Sequence, residues 1–113
     1  MRARLVAAVE RFEDLRGLSH EAMARRIREL GVDILVDAKG ATHGTLMPVT
    51  AQRAAPLQAS WLGFPGTSGA DEVDYFIGDP VTTPLAHAAH FSEKIAQLPV
   101  CYQPNDALRA LPQ

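Results

Sequence analysis

The sequence predicts an α/β fold with a mostly parallel sheet, on three observations. Helical patterns alternate with short apolar runs along the chain. One of those runs, Ile34-Leu35-Val36, is apolar without alternation and bounded by Asp33 and Asp37, as a strand covered on both faces reads in a parallel sheet. The helix before it stops on Gly31, so helix, glycine and strand together make the αβ half of a βαβ repeat.

Residues 1 to 16 show a helical pattern through Leu5, Val9, Phe12 and Leu15, ended by Gly17. A second helix starts at Ser19, whose hydroxyl can cap the first backbone N–H groups. Glu21 suits its positive end, and Met23, Ile27 and Leu30 form its apolar stripe. After the strand at Ile34 to Val36, residues 39 to 44 read as a loop and Thr45 to Ala54 as a weaker helical stretch broken by Pro48. Strands are expected at Leu57 to Leu62, Val73 to Ile77 and Ile95 to Leu98, and a helix at Leu85 to Phe91. Between the first two of these strands, Gly63-Phe64-Pro65-Gly66-Thr67-Ser68-Gly69 places three glycines and a proline in seven positions, which specifies turns. Ligands bind beyond the carboxyl ends of parallel strands, so the loops at 39 to 44 and 63 to 69 are expected on one rim.

Composition bounds the function. The 113 residues carry 11 Lys plus Arg against 13 Asp plus Glu, a formal charge of −2, which supplies no basic field for a nucleic-acid backbone. A single cysteine, Cys101, excludes an internal disulfide and a thiolate-rich zinc cage, and suits a reducing compartment, the cytoplasm. The apolar run at Leu5 to Val9 is too short for a signal peptide or a membrane span. A chain of this length buries roughly 65% of its unfolded surface, enough for one core but not for two lobes around a cleft.

Several residues invite chemistry. The glycines of residues 63 to 69 let backbone N–H groups approach an oxyanion or a sugar hydroxyl, or else serve a multiple turn; with no following Lys the loop is not a Walker loop, and its spacing is not the dinucleotide fingerprint. His87 and His90 are three apart, but only Glu93 stands near as a third ligand, too few for a metal site. His43, in the rim loop, reads as a base, a hydrogen-bond donor or a surface residue, and His20 as solvated. Asp33, Asp37, Asp74 and Asp79 flank the strands as turn-formers and caps. Cys101 reads as a structural or idle thiol, and Trp61, Leu62 and Phe64 as core or as a stacking surface.

Taken together, Trp61-Leu62-Gly63-Phe64-Pro65-Gly66-Thr67-Ser68-Gly69, followed by Asp74-Tyr75 and Asp79, resembles the catalytic region of the O-GlcNAc transferase family, which carries W-L-G-Y-P-G-T-[ST]-G and then a D-Y pair. Asp14 to Ser19 is similar to the family's D-I-R-G-L-S, Gly31 to Asp37 to its G-I-D-I-L-V-D, Arg53 to Pro56 to its R-P-A-P, and Ser92 to Lys94 to its S-E-K run. Gly40-Ala41-Thr42-His43-Gly44 lies at the family's G-[HY]-T-x-G, with Ala41 in place of the ring. The resemblance spans roughly Phe12 to Asp106.

The resemblance implies a B-type two-lobed glycosyltransferase fold, usually behind helical repeats, in which this chain is a Rossmann-like half-lobe, the C-terminal half of the first lobe. The division it implies is an N-terminal helix over 1–17, the partial lobe over 18–102, and an irregular tail or truncation point over 103–113. The implied reaction moves N-acetylglucosamine from UDP-GlcNAc to Ser or Thr hydroxyls of proteins with inversion, without a metal and with no cofactor beyond the donor. Leu62, Gly63 and Pro65 fall at donor-sugar positions, and Thr42 and His43 on an acceptor-side loop; no catalytic residue is assigned. Implied partners are the nucleotide sugar, a protein or peptide acceptor, the other lobe and upstream helical repeats, with neither nucleic acid nor membrane. The groups that hold the diphosphate belong to the other lobe, so the chain alone is expected to be inactive. Competing expectations are a related branch that glucosylates asparagine on adhesins, and a non-catalytic remnant or interaction module.

Overall fold

The computed structural model describes residues 2–106. Its centre is a sheet of four strands, β1 (Ile34–Asp37), β2 (Leu57–Trp61), β3 (Tyr75–Gly78) and β4 (Lys94–Gln97), all parallel and adjacent in chain order. The expected α/β architecture with a parallel sheet is therefore present. Among the described residues three helices accompany it: α1 (Arg2–Ala8), α2 (His20–Glu29) and α3 (Met47–Thr50), with a 3-10 helix at Leu85–His90 between β3 and β4.

Helix α2 forms as its sequence directs. The Ser19 hydroxyl accepts a hydrogen bond from the Ala22 N–H at 3.2 Å, and Gly31 takes the left-handed conformation that ends the helix, at φ +66°. Its apolar face buries Ala24 and Ile27 against Val49 and Ala54, with Leu15, Met23, Val32 and Leu35 packed around them. Helix α3 corrects an expectation. Pro48 falls in its first turn, where a missing N–H breaks no bond, so the proline starts the helix instead of breaking it.

The N-terminal helix is shorter than the expected 1–16. It ends at Ala8, buries no residue, and leaves Leu5, Val9 and Phe12 exposed. A short helix without packing is marginal in water, and the following segment satisfies its charges in another way. Arg11 donates to Glu13 at 2.7 Å and Arg16 to Asp14 at 2.7 Å, pairs two residues apart that point to different sides of a helix and meet only in irregular chain. Arg26 of α2 then holds Glu13 at 3.0 Å. Of the expected irregular tail over 103–113, the part from residue 107 lies outside the described residues.

The two faces of the sheet differ. Register places Leu35, Gln58, Ser60, Phe76 and Ile95 on one face, where Leu35 meets the α2–α3 cluster and the Phe76 ring packs on Phe91 with centroids 5.0 Å apart. Consecutive parallel strands joined by right-handed crossovers place all their connections on this one side. The opposite face, which carries Ile34, Val36, Leu57, Ala59, Tyr75 and Ile77, has no helical layer among the described residues. The expectation that Ile34 to Val36 is covered on both faces is therefore wrong. β1 is an edge strand, and Ile34 is 59% and Val36 40% exposed. An apolar run without alternation reports a parallel strand, but not what lies on its far side.

A polar centre stands inside the core. Gln58 is fully buried, and its amide donates to the Thr50 and Glu72 carbonyls at 2.8 and 2.7 Å while its carbonyl accepts from the Ala54 N–H at 3.1 Å. One side chain thus ties α3, its exit and the approach to β3 to the middle of the sheet. Arg53, at φ +50°, reinforces the same junction through the Glu72 and Pro56 carbonyls and the Asp74 carboxylate.

Candidate functional site

Because all four strands run the same way, the segments that follow them leave the sheet at a single edge. The two unusual loops meet there as expected. Asp37 ends β1 and turns the chain by accepting hydrogen bonds from the Lys39 and Gly40 N–H groups at 2.9 and 3.1 Å. Across the gap, Gly63 packs so closely on Lys39 that a Cβ placed on it would stand 2.5 Å from the Lys39 carbonyl oxygen. At φ +53°, Gly63 also has the backbone that glycine adopts without cost.

Leu62 adopts φ +60°, a left-handed conformation that costs a branched side chain roughly 1–2 kcal/mol. Such strain persists where the surroundings enforce it, and it concentrates at ligand sites. Here Leu62, Gly63 and Pro65 line one side of a groove of ≈ 390 Å³, and Tyr102, Gln103 and Pro104 line the other. The second wall is fixed through the Tyr102 backbone. The Trp61 indole N–H donates to the Tyr102 carbonyl at 2.8 Å, and the Asp79 carboxylate accepts the Tyr102 N–H at 3.0 Å. The residues with the sequence-level donor-sugar assignment are thus neighbours in space. The strap at 102–104 opposite them carries no pattern of its own in the sequence.

The remainder of the glycine loop is held from below. Glu93, just before β4, is only 3% exposed, and its carboxylate accepts from the Thr67 hydroxyl at 2.7 Å, from the Ser68 N–H at 2.7 Å and from the Ser68 hydroxyl. Burial pushes its pKa up, but the hydrogen bonds from Ser68 and Thr67 outweigh burial and hold it below the usual glutamate range. Asp79 is likewise held low, chiefly by the Thr82 and Tyr102 N–H groups, and Asp74 by the Arg53 guanidinium. Asp37 and Asp79 therefore do the turn work read from the sequence, and Asp79 in addition anchors the strap, whereas the Asp74 carboxylate instead holds the distant Arg53 guanidinium and Gln58 N–H.

Thr42 and His43 stand on the adjoining rim loop and do not line the groove. The Thr42 hydroxyl is engaged with the Lys39 carbonyl at 3.0 Å, and His43 is exposed. The rings of His87 and His90 are 6.2 Å apart on an exposed turn, and among the described residues no three His, Cys, Asp or Glu side chains are grouped to hold a metal. Cys101 is exposed just before the strap. Lys39 is the single cation in the two rim loops, and its ammonium folds over Gly44. The site is thus a groove lined by uncharged residues, able to contact a polyhydroxylated ligand but with little in the rim loops to neutralise a diphosphate.

The glycosyl transferase family 41 profile matches residues 1–112. The chain belongs to glycosyl transferase family 41. It is 39% identical over 105 residues to a probable UDP-N-acetylglucosamine–peptide N-acetylglucosaminyltransferase SEC of Arabidopsis thaliana, a match covering 93% of this chain and 11% of the relative. To the UDP-N-acetylglucosamine–peptide N-acetylglucosaminyltransferase of Caenorhabditis elegans it is 41% identical over 99 residues, covering 87% of this chain and 9% of the relative. A mutant of the Thermobaculum terrenum O-GlcNAc transferase superposes with a TM-score of 0.85 at 29% identity, over 94% of this chain and 21% of that one. The chain thus spans about a tenth of the length of the curated relatives it matches. No helix among the described residues is long and apolar enough to cross a membrane.

Proposed function

We propose that this family 41 chain supplies the donor-sugar wall of a cytoplasmic protein O-GlcNAc transferase, which moves N-acetylglucosamine from UDP-GlcNAc to Ser or Thr hydroxyls with inversion. The observation that carries the reading is the convergence of Leu62, Gly63 and Pro65 on one groove at the carboxyl ends of parallel strands. In the transfer, the acceptor hydroxyl gives up its proton to a base or to solvent and its oxygen forms a bond to the anomeric carbon, as the bond to the diphosphate breaks and its electron pair departs with UDP. This chain's share is to hold the sugar ring in line between the Leu62–Pro65 shelf and the Tyr102–Pro104 strap, with the acceptor approaching on the side of Thr42 and His43. The leaving diphosphate needs cationic or N–H stabilisation, and the rim loops offer Lys39 alone. The reaction therefore needs a second lobe, and the 113 residues alone do not turn over.

Saturation-transfer NMR with UDP-GlcNAc, run beside a transfer assay with labelled donor and a peptide library, tests both halves. The expected result is saturation of the sugar protons with label incorporation at the no-protein blank. An absence of saturation overturns the groove as a donor site. Incorporation well above the blank overturns the need for a second lobe.

A further inference from the structure

We propose that Glu93 is the positioning residue of the groove: its carboxylate sets the path of the loop from Thr67 back to Leu62, and so the shape of the surface offered to the sugar. The role in sugar contact rests on the function proposed above; the hold on the loop stands on geometry alone.

Glu93 is a buried carboxylate that no Lys, Arg or His bridges among the described residues. Burying such a charge is costly unless hydrogen bonds compensate it, and an apolar residue would fill the same space more cheaply. Besides its own backbone N–H, its three hydrogen-bond donors come from two consecutive residues of the glycine loop, Thr67 and Ser68. Each of those hydroxyls then turns onto nearby backbone. Thr67 Oγ1 accepts from the Gly69 and Ser92 N–H groups at 3.2 and 3.1 Å, and Ser68 Oγ accepts from the Ala70 N–H at 3.2 Å. The carboxylate therefore fixes the direction of both hydroxyls, and through them the backbone from Thr67 to Ala70.

The loop has its other anchor at Gly63 against Lys39. Between the two anchors lie Phe64, Pro65 and Gly66, and Phe64 and Pro65 are exposed. Three residues held at both ends have few conformations left. Releasing one end frees the groove wall while leaving the sheet, whose own ladder does not involve Glu93, in place.

The test is residue-resolved amide hydrogen exchange on the 113-residue chain with Glu93→Gln, which keeps the volume and one acceptor but loses the charge. The expected result is exchange about tenfold faster at Ser68, Gly69, Ala70 and Ser92, whose N–H groups the clamp holds, with the strand amides of Ala59, Phe76 and Ile95 within about twofold of the parent. Saturation transfer from the chain to UDP-GlcNAc falls in parallel. Unchanged loop exchange overturns the proposal, as does an equal acceleration in the strands, which would make Glu93 a general stabiliser. If Glu93→Gln does not fold, Thr67→Val, which removes a single hydroxyl of the clamp, is read by the same contrast. If the parent chain gives no saturation transfer, the sugar reading fails, while the exchange contrast still decides whether Glu93 sets the loop.

Discussion

Gly63 sits against the backbone of Lys39 with no room for a methyl group, and this contact joins the loop after β1 to the loop after β2. Gly63→Ala would place its Cβ 2.5 Å from the Lys39 carbonyl oxygen and 2.7 Å from two further backbone atoms, at a φ of +53° that disfavours any side chain. Overpacking against rigid backbone, added to left-handed strain, is expected to cost about 2–4 kcal/mol. Denaturant unfolding monitored by circular dichroism measures it, and a loss under about 1 kcal/mol would show that the rim loops separate freely.

Gln58→Leu is expected to destabilise the chain by about 1–3 kcal/mol, the cost of leaving one buried donor unpaired. It strands the Ala54 N–H and takes one of two donors from each of the Thr50 and Glu72 carbonyls, which keep their bonds from Arg53. Gln58→Glu should be at least as damaging, because it removes both N–H donors and buries a charge. Thermal unfolding of the two variants beside the parent checks the order.

Acid should weaken the fold through a small set of carboxyls. Asp74, Asp79 and Glu93 are held below their ordinary values of 3.8, 3.8 and 4.5. The unfolded chain therefore takes up these protons first as pH falls. Their contribution is fully present above about pH 5 and lost progressively below pH 4, as pH drops through the folded values. Urea midpoints between pH 7 and 3 test the sign, and Asp79→Asn should flatten the curve while loosening the strap at Tyr102.

The exposed apolar edge at β1 should make isolated chains associate. Ile34 and Val36 stand exposed on an edge strand that carries neither proline nor lysine, the features that normally block edge pairing. Sedimentation velocity is expected to show species larger than one copy, shifting to monomer in the double variant Ile34→Lys, Val36→Lys. A parent chain that stays monomeric at 100 µM, a concentration on the order of those that favour weak association, would refute this.

Much of this architecture was legible from local chemistry. Ser19, Glu21 and Gly31 mark both ends of α2 because capping is decided within four residues, and the glycine loop after Trp61 marks the rim because turns are local too. What escaped depends on distance. Whether Val9 and Phe12 continue the helix that holds Leu5 depends on a packing partner, which α1 lacks among the described residues, and whether Val36 is buried depends on a layer that its own residues cannot indicate. At the site, family likeness names Leu62, Gly63 and Pro65. In the sequence Glu93 reads only as a weak metal ligand and within the S-E-K likeness, and Tyr102 only as the last residue before the tail, since no short-range pattern relates them to residues 25 to 41 positions away.

The bond from the Trp61 indole to the Tyr102 carbonyl makes the groove report on itself. Trp61 is the only tryptophan in the sequence, so all indole emission comes from the hinge between shelf and strap. A ligand that parts the two walls would break that bond and change the colour or yield of the light without any added dye, and occupancy of the groove becomes a quantity that a fluorimeter can follow.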